Sequence, residues 1–152
     1  MKLYFLRHGK ADWPDWKKSD DERPLTVAGR KEMELVAQLL VRLKAAPDII
    51  LTSPLPRAAE TAQIAARHLK VKCSEEEVLS PGFGIRELKK LQEKYPNESL
   101  MLVGHEDDFS RTIAGLTSGR IRLAKGGVAL VELETSDRGR LRWLFSPKFA
   151  QV

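Results

Sequence analysis

Three short apolar runs constrain this chain more than any other feature: "KLYFL" at Lys2–Leu6, "DIILT" at Asp48–Thr52 and "LMLV" at Leu100–Val103. Each is too short for a helix, and each suits a strand covered on both faces. Helical spacing follows every one of them. After the first, Thr26 is placed to cap a helix in which Met33, Val36, Ala37, Leu40 and Leu43 or Lys44 recur along one stripe. After the second, Pro56 suits the first turn of a helix that sets Ala58, Ala62, Ala65 and Leu69 on one face. Phe109, Ile113 and Leu116 follow the third. Alternation of this kind predicts an α/β fold, a mostly parallel sheet with helices on both faces. Ile85, Leu88, Leu91 and Tyr95 predict a further helix stopped by Pro96 and Asn97, and a short edge strand is expected near Val71–Cys73. Val128–Glu134 and Leu141–Phe145 flank "TSDRG" and predict a closing antiparallel hairpin. The 152 residues hold no internal repeat and suit one buried core, so residues 1–152 are expected to form a single domain.

In such sheets ligands bind beyond the carboxyl ends of the strands. The first run ends in Arg7-His8-Gly9, the second leads through Ser53 to Arg57, and the third ends in Gly104-His105. Charged and polar groups beside an apolar strand cost free energy, so their presence calls for a reason. Two arginines facing one point repel each other unless an anion lies between them, and their planar forks match phosphate oxygens. Arg57 also falls in the first turn of a helix, whose free N–H groups favour an anion. A histidine at the centre of such a site can attack phosphorus when its attacking nitrogen is unprotonated. A second histidine can donate a hydrogen bond to the moving phosphoryl group or shuttle its proton. Gly9 is expected to let the backbone turn sharply beneath the nucleophile. Arg7, His8, Arg57 and His105 together predict positioning plus charge stabilisation, the main needs of phosphoryl transfer.

The net charge of +5 attracts acidic partners, whether a phosphorylated substrate, an acidic protein or nucleic acid, without choosing among them. No apolar stretch reaches the length of a membrane span, and the chain enters a strand pattern at once, so no membrane, no signal peptide and a cytoplasmic location are expected. The lone Cys73 excludes an internal disulfide and lacks the arginine spacing of a cysteine phosphatase. Glu106, Asp107 and Asp108 are expected to cap the following helix, Asp107 or Asp108 being best placed, rather than to bind a metal. Lys125, just before "GGVALVE", is expected at the rim of the pocket. Trp13 and Trp16 lie in a polar loop and either cover the site or pack that loop on the body. His68, between Arg67 and Lys70, is expected to be solvated, as are Arg120, Arg122, Arg138, Arg140 and Arg142.

"FLRHGKAD" resembles the first signature of the histidine phosphatase superfamily, "ILTSPLPRAAETAQI" its second and "LMLVGHEDDF" its third, in order and each after a predicted strand. "RPLTVAGR" close behind the first, in a chain this short, is similar to the SixA-like phosphohistidine phosphatase subgroup. The resemblance runs from Lys2 to about Leu116 and, more loosely, through the final hairpin. It implies a phosphoglycerate mutase-like three-layer sandwich, His8 as the phosphorylated nucleophile, and a phosphate pocket of Arg7, Arg57 and His105. It also implies catalysis without metal or cofactor, with phosphohistidine in a protein as substrate and a small or aryl phosphate as the alternative. Mutases and many small-ester phosphatases of the superfamily carry a glutamate after a leucine and one further residue, between the second and third signatures. Here "VLSPGF" offers Leu79, Ser80 and Pro81, so that acid is absent and a mutase is disfavoured. Glu106, beside His105, is the candidate stand-in, and with Gly9 and Lys125 it joins the expected substrate-binding residues. A non-catalytic phosphate or nucleic-acid binder is the rival from another class. The intact Arg-His-Gly and Gly-His motifs argue against it, and nucleic acid is not an expected partner.

Overall fold

The computed structural model describes residues 1–151. Among these, the strands are β1 (Lys2–Arg7), β2 (Ile49–Thr52), β3 (Cys73–Glu75), β4 (Leu100–Gly104), β5 (Val128–Leu133) and β6 (Gly139–Phe145). The helices are α1 (Val27–Arg42), α2 (Pro56–Leu69), α3 (Ile85–Lys94) and α4 (Asp108–Thr117). One sheet takes the order β3-β2-β4-β1-β5-β6, with β3, β2, β4 and β1 parallel and the β5–β6 hairpin antiparallel beside β1.

Alternation along the strands separates two cores, because successive side chains of a strand point to opposite faces. Tyr4, Leu6, Ile50, Met101 and Val103 pack with Met33, Val36 and Leu40 of α1 and Ala58, Ala62 and Ala65 of α2. Leu3, Phe5, Leu51, Leu100 and Leu102 pack on the other face with Leu88 and Leu91 of α3 and Phe109, Ile113 and Leu116 of α4. Neighbouring strands β1 and β4 therefore feed helices on opposite faces. Such a reversal opens a crevice at the carboxyl ends of the two strands, which places the site.

Local signals account for most boundaries. Thr26 caps α1, its hydroxyl accepting from the Gly29 N–H at 3.0 Å, and Pro56 opens α2. Lys70 closes α2 in the left-handed conformation, φ 58°. That turn uses Val71 and Lys72, so the edge strand begins at Cys73 and not at Val71 as expected. The hairpin is longer than its sequence suggested, because β6 starts at Gly139.

The capping expectation for α4 is corrected. Asp107 occupies the cap position without a side-chain capping bond, and Asp108 turns away to accept from Gly82 N–H at 2.8 Å. Glu106 meets the free backbone instead, its Oε1 accepting from Ser110 N–H at 2.8 Å. His68 is corrected as well: it bonds Glu34 on α1, beside the Arg67–Glu34 pair, and so ties α1 to α2.

Gly29 brings α1 against the backbone that follows β1, since an added Cβ there would stand 2.3 Å from the Lys10 carbonyl oxygen. Backbone cannot yield as a flexible side chain can. Gly29→Ala is expected to destabilise the fold by about 3 kcal/mol, seen as a lower urea midpoint at unchanged slope.

Candidate active site

Beyond β1 the backbone is held from three directions. His8 N–H donates to the Gly104 carbonyl at 3.1 Å, and Gly126 N–H donates to the His8 carbonyl at 2.9 Å. Gly9 N–H donates to Thr61 Oγ1 at 3.1 Å, while the Thr61 hydroxyl donates to the Arg57 carbonyl at 2.8 Å. One buried threonine thus couples the loop carrying His8 to the helix turn carrying Arg57. Gly9 itself has no positive φ, so the left-handed freedom of glycine is not used there. Glycine is needed there for space, because a Cβ would stand 2.8 Å from Met33 Cγ.

The imidazole of His8 has a defined tautomer. Its Nδ1 lies 2.7 Å from the Gly9 carbonyl, which only accepts, so Nδ1 carries the proton and Nε2 keeps its lone pair. His105 faces it, the ring centroids 5.4 Å apart. His105 Nε2 lies 2.9 Å from Ser53 Oγ, so Nδ1 is the ring nitrogen left for a ligand.

Arg7 donates from Nη1 to the Leu123 carbonyl at 2.9 Å, and its buried Nε has no partner among the described residues. Arg57 donates from Nη1 to the Asp20 carbonyl at 3.1 Å. Each guanidinium is thus steered by a neutral carbonyl, and its charge stays available.

Burial, aided by the neighbouring positive charges of Arg57 and Arg7, lowers His8 to about 3 and His105 to about 4. Desolvation also lowers both arginines, with Arg23 adding to the effect at Arg57. Both histidines are neutral at pH 7. A dianion placed among them would favour the charged imidazolium and push these values back up.

Arg7, His8, Arg57 and His105 therefore converge at the crevice. Glu106 stands next to His105 in sequence, but its oxygens accept from Ser110 N–H, the Ser110 hydroxyl and Leu123 N–H. Lys125 is held beside the His8 loop through a 2.6 Å bond to Asp12. Trp13 and Trp16 pack the loop: their rings lie 6.2 Å apart, and their indole N–H groups donate to the carbonyls of Pro24 and Ser19. Among the described residues no group of three or more His, Cys, Asp or Glu side chains converges to hold a metal ion. No helix among them is long and apolar enough to cross a membrane. Sequence reasoning missed Ser53 and Thr61 as supports of the two histidine segments, although both lie inside the second motif. The Asp20 carbonyl had no side-chain signal at all.

Residues 3–115 match the model of the histidine phosphatase superfamily (branch 1). A relative from Picosynechococcus sp. (strain ATCC 27264 / PCC 7002 / PR-6), itself uncharacterized, is 36% identical over 98% of this chain and 98% of its own. Phosphohistidine phosphatase SixA of Escherichia coli (strain K12) is 28% identical, covering 97% of this chain and 94% of that protein. A solved structure of the protein histidine phosphatase SixA complexed with tungstate superimposes with a TM-score of 0.87 at 26% identity, over 98% of this chain and 99% of that one. The chain belongs to the histidine phosphatase superfamily, and its fold is the phosphoglycerate mutase-like α/β sandwich of that SixA structure.

The lowered histidines make stability pH-dependent in a defined sense. An unfolded histidine takes up its proton near pH 6.5, while His8 and His105 in the folded chain resist until about 3 and about 4. Between these limits the unfolded state binds more protons, so their contribution to stability is intact above about pH 6.5 and is lost as pH falls towards the folded values. Urea unfolding from pH 7.5 to 4 is expected to show wild type losing stability relative to His8→Ala over this interval, with the two curves parallel above it.

Proposed function

We propose that this protein is a metal-independent phosphohistidine phosphatase acting through a phosphorylated His8. The observation that carries the reading is the His8 imidazole pinned through Nδ1–H, its Nε2 lone pair free at neutral pH, between the partly buried guanidinium of Arg7 and the buried one of Arg57. The partnerless Nε of Arg7 supports it, being a donor available to an oxyanion. So do the 28% identity to a phosphohistidine phosphatase and the tungstate complex of a similar structure, tungstate being a tetrahedral oxyanion like phosphate.

Nε2 of His8 attacks phosphorus in line. A His8 N–P bond forms as the bond from phosphorus to the leaving group breaks, and the departing group takes up one proton from solvent, which the attacking water of the second step gives back. Arg7 and Arg57 stabilise the charge on the non-bridging oxygens, a role that preorganised positive groups fill without a metal. Water then attacks the phosphoryl group on His8, the N–P bond breaks and inorganic phosphate leaves. Nδ1 of His105 hydrogen-bonds the transferring group in both steps, since the bound dianion favours its protonated form.

Rapid quench with labelled substrate in the presence of excess chelator tests this directly. A base-stable, acid-labile phosphoryl adduct is expected on the tryptic peptide holding His8, at undiminished rate. Full turnover by His8→Ala, or loss on chelation with rescue by a divalent ion, would overturn it.

Substrate choice follows from the leaving group. Leu79, Ser80 and Pro81 occupy the stretch where mutases and many small-ester phosphatases of the superfamily keep an acid, and the oxygens of Glu106 are engaged with Ser110 and Leu123. A general acid is worth about a hundred- to ten-thousand-fold, so an alkoxide leaves very slowly here. Imidazole leaves readily, its conjugate acid having a pKa near 6.5, and phenols follow, near 10. Phosphohistidine is expected to turn over fastest, aryl phosphates next, and serine-type or sugar phosphates at least a hundredfold slower. Comparable alkyl and aryl rates, with the alkyl rate lost selectively in Glu106→Gln, would name Glu106 as the acid and reverse this order.

A further inference from the structure

Asp108 is a buried carboxylate that no step of the mechanism uses. It opens α4 three residues after His105, and its side chain is only 8% exposed. Taking a carboxylate out of water costs free energy unless donors meet it. Two do: Gly82 N–H donates to Oδ2 at 2.8 Å, and Arg111 donates from Nη2 to Oδ1 at 2.8 Å. The Arg111 side chain is 72% exposed, so solvent screens its charge far more than that of Asp108.

Gly82 belongs to Leu79–Phe83, which runs past the end of β4: a Cβ on Gly104 would stand 3.5 Å from the Leu79 carbonyl oxygen. Phe83 packs edge-on against Phe109, the ring centroids 5.8 Å apart. Among the described residues no hydrogen bond except that of Gly82 ties Leu79–Phe83 to the strands or to α4, and the buried Ser80 Oγ has no partner. Asp108 is thus the polar anchor of the segment that lies beside the Gly104–His105 turn.

The charges that act on His105 come from four parts of the chain. Arg57 in the first turn of α2 and Arg7 at the end of β1 disfavour a proton on its ring, while Asp108 on α4 and Asp21 in the loop before α1 favour one. His8 faces it as a neutral ring. Of the two carboxylates Asp21 is exposed, and Asp108 has the larger influence. Glu106, though adjacent in sequence, is turned onto Ser110 and Leu123. His105 needs a proton on Nδ1 while the phosphoryl group moves, and both arginines of the pocket oppose it.

We propose that Asp108 is a positioning residue: a fixed, buried negative charge that offsets Arg7 and Arg57 at His105 and, through Gly82, pins Leu79–Phe83 beside it. The inference rests on the phosphatase reading and assigns to that site the carboxylate that keeps its second histidine protonated during transfer. The two tasks are separable, since an amide oxygen accepts from an N–H without carrying charge.

The pH dependence of kcat on p-nitrophenyl phosphate tests this. Wild-type kcat is expected to fall at high pH as His105 in the complex loses its proton. Asp108→Asn is expected to move that limb to lower pH by about 0.5 unit or more, an about threefold lower kcat beyond it, at near-wild-type KM. Asp108→Ala, which also loses the Gly82 bond, is expected to show the same displacement with a raised KM. Asp108→Glu retains the charge and is expected to keep the limb in place. Arg111→Ala, a surface change that removes the compensating cation, is expected to move the limb the opposite way and reports even where a change at Asp108 prevents folding. An unmoved limb in Asp108→Asn, an equal displacement in Asp108→Glu, or a move to lower pH in Arg111→Ala would overturn the role of Asp108 and leave the phosphatase reading standing. Absence of hydrolysis by wild type would instead refute the phosphatase reading and the role of Asp108 with it.

Discussion

Two like charges held away from open solvent at a single point, Arg57 buried and Arg7 partly so, set the terms for the rest of this molecule. Arg7 and Arg57 lose hydration, are steered by carbonyls and not by carboxylates, and face two histidines that burial keeps neutral. Nothing in that cluster favours the folded chain by itself. It persists because the strands beneath it belong to two apolar cores and because backbone bonds from Gly104 and Gly126, together with Thr61, hold the loop in place. On the reading proposed above, an incoming phosphoryl group supplies the missing counter-charge, so part of its binding energy is the relief of a repulsion built into the empty site.

Strand positions were legible because a strand covered on both faces must be apolar throughout, and no other element of this length reads that way. The order of residues at the strand ends then brought Arg7, His8, Arg57 and His105 together by topology alone. What stayed hidden depends on neighbours distant in the chain. Glu106 meets the α4 backbone because Asp108 is taken by Gly82, a partner from another loop. His68 pairs with Glu34 only because α1 and α2 lie side by side. Gly9 is a glycine on account of Met33, which no local pattern announces. Ser53 and Thr61 were visible as parts of a motif, yet their roles appear only when their hydrogen-bond partners are known.

The separation into two cores has a consequence for the spacing of the two rings. His8 is supported from the α1–α2 layer, through Met33 and Thr61, whereas Gly104 ahead of His105 lies over Phe109 of the opposite layer. The ladder that fixes one against the other is the β1–β4 pairing, from Leu3 opposite Leu100 to Arg7 opposite Gly104. Such a ladder has no intermediate settings. A slip of one residue would carry His8 about 3.3 Å along the strand and would also turn every side chain of β1 to the wrong core. The pleat therefore makes the distance between the histidines a discrete quantity, and the close-packed apolar layer on either side acts as the ratchet that keeps it at one value.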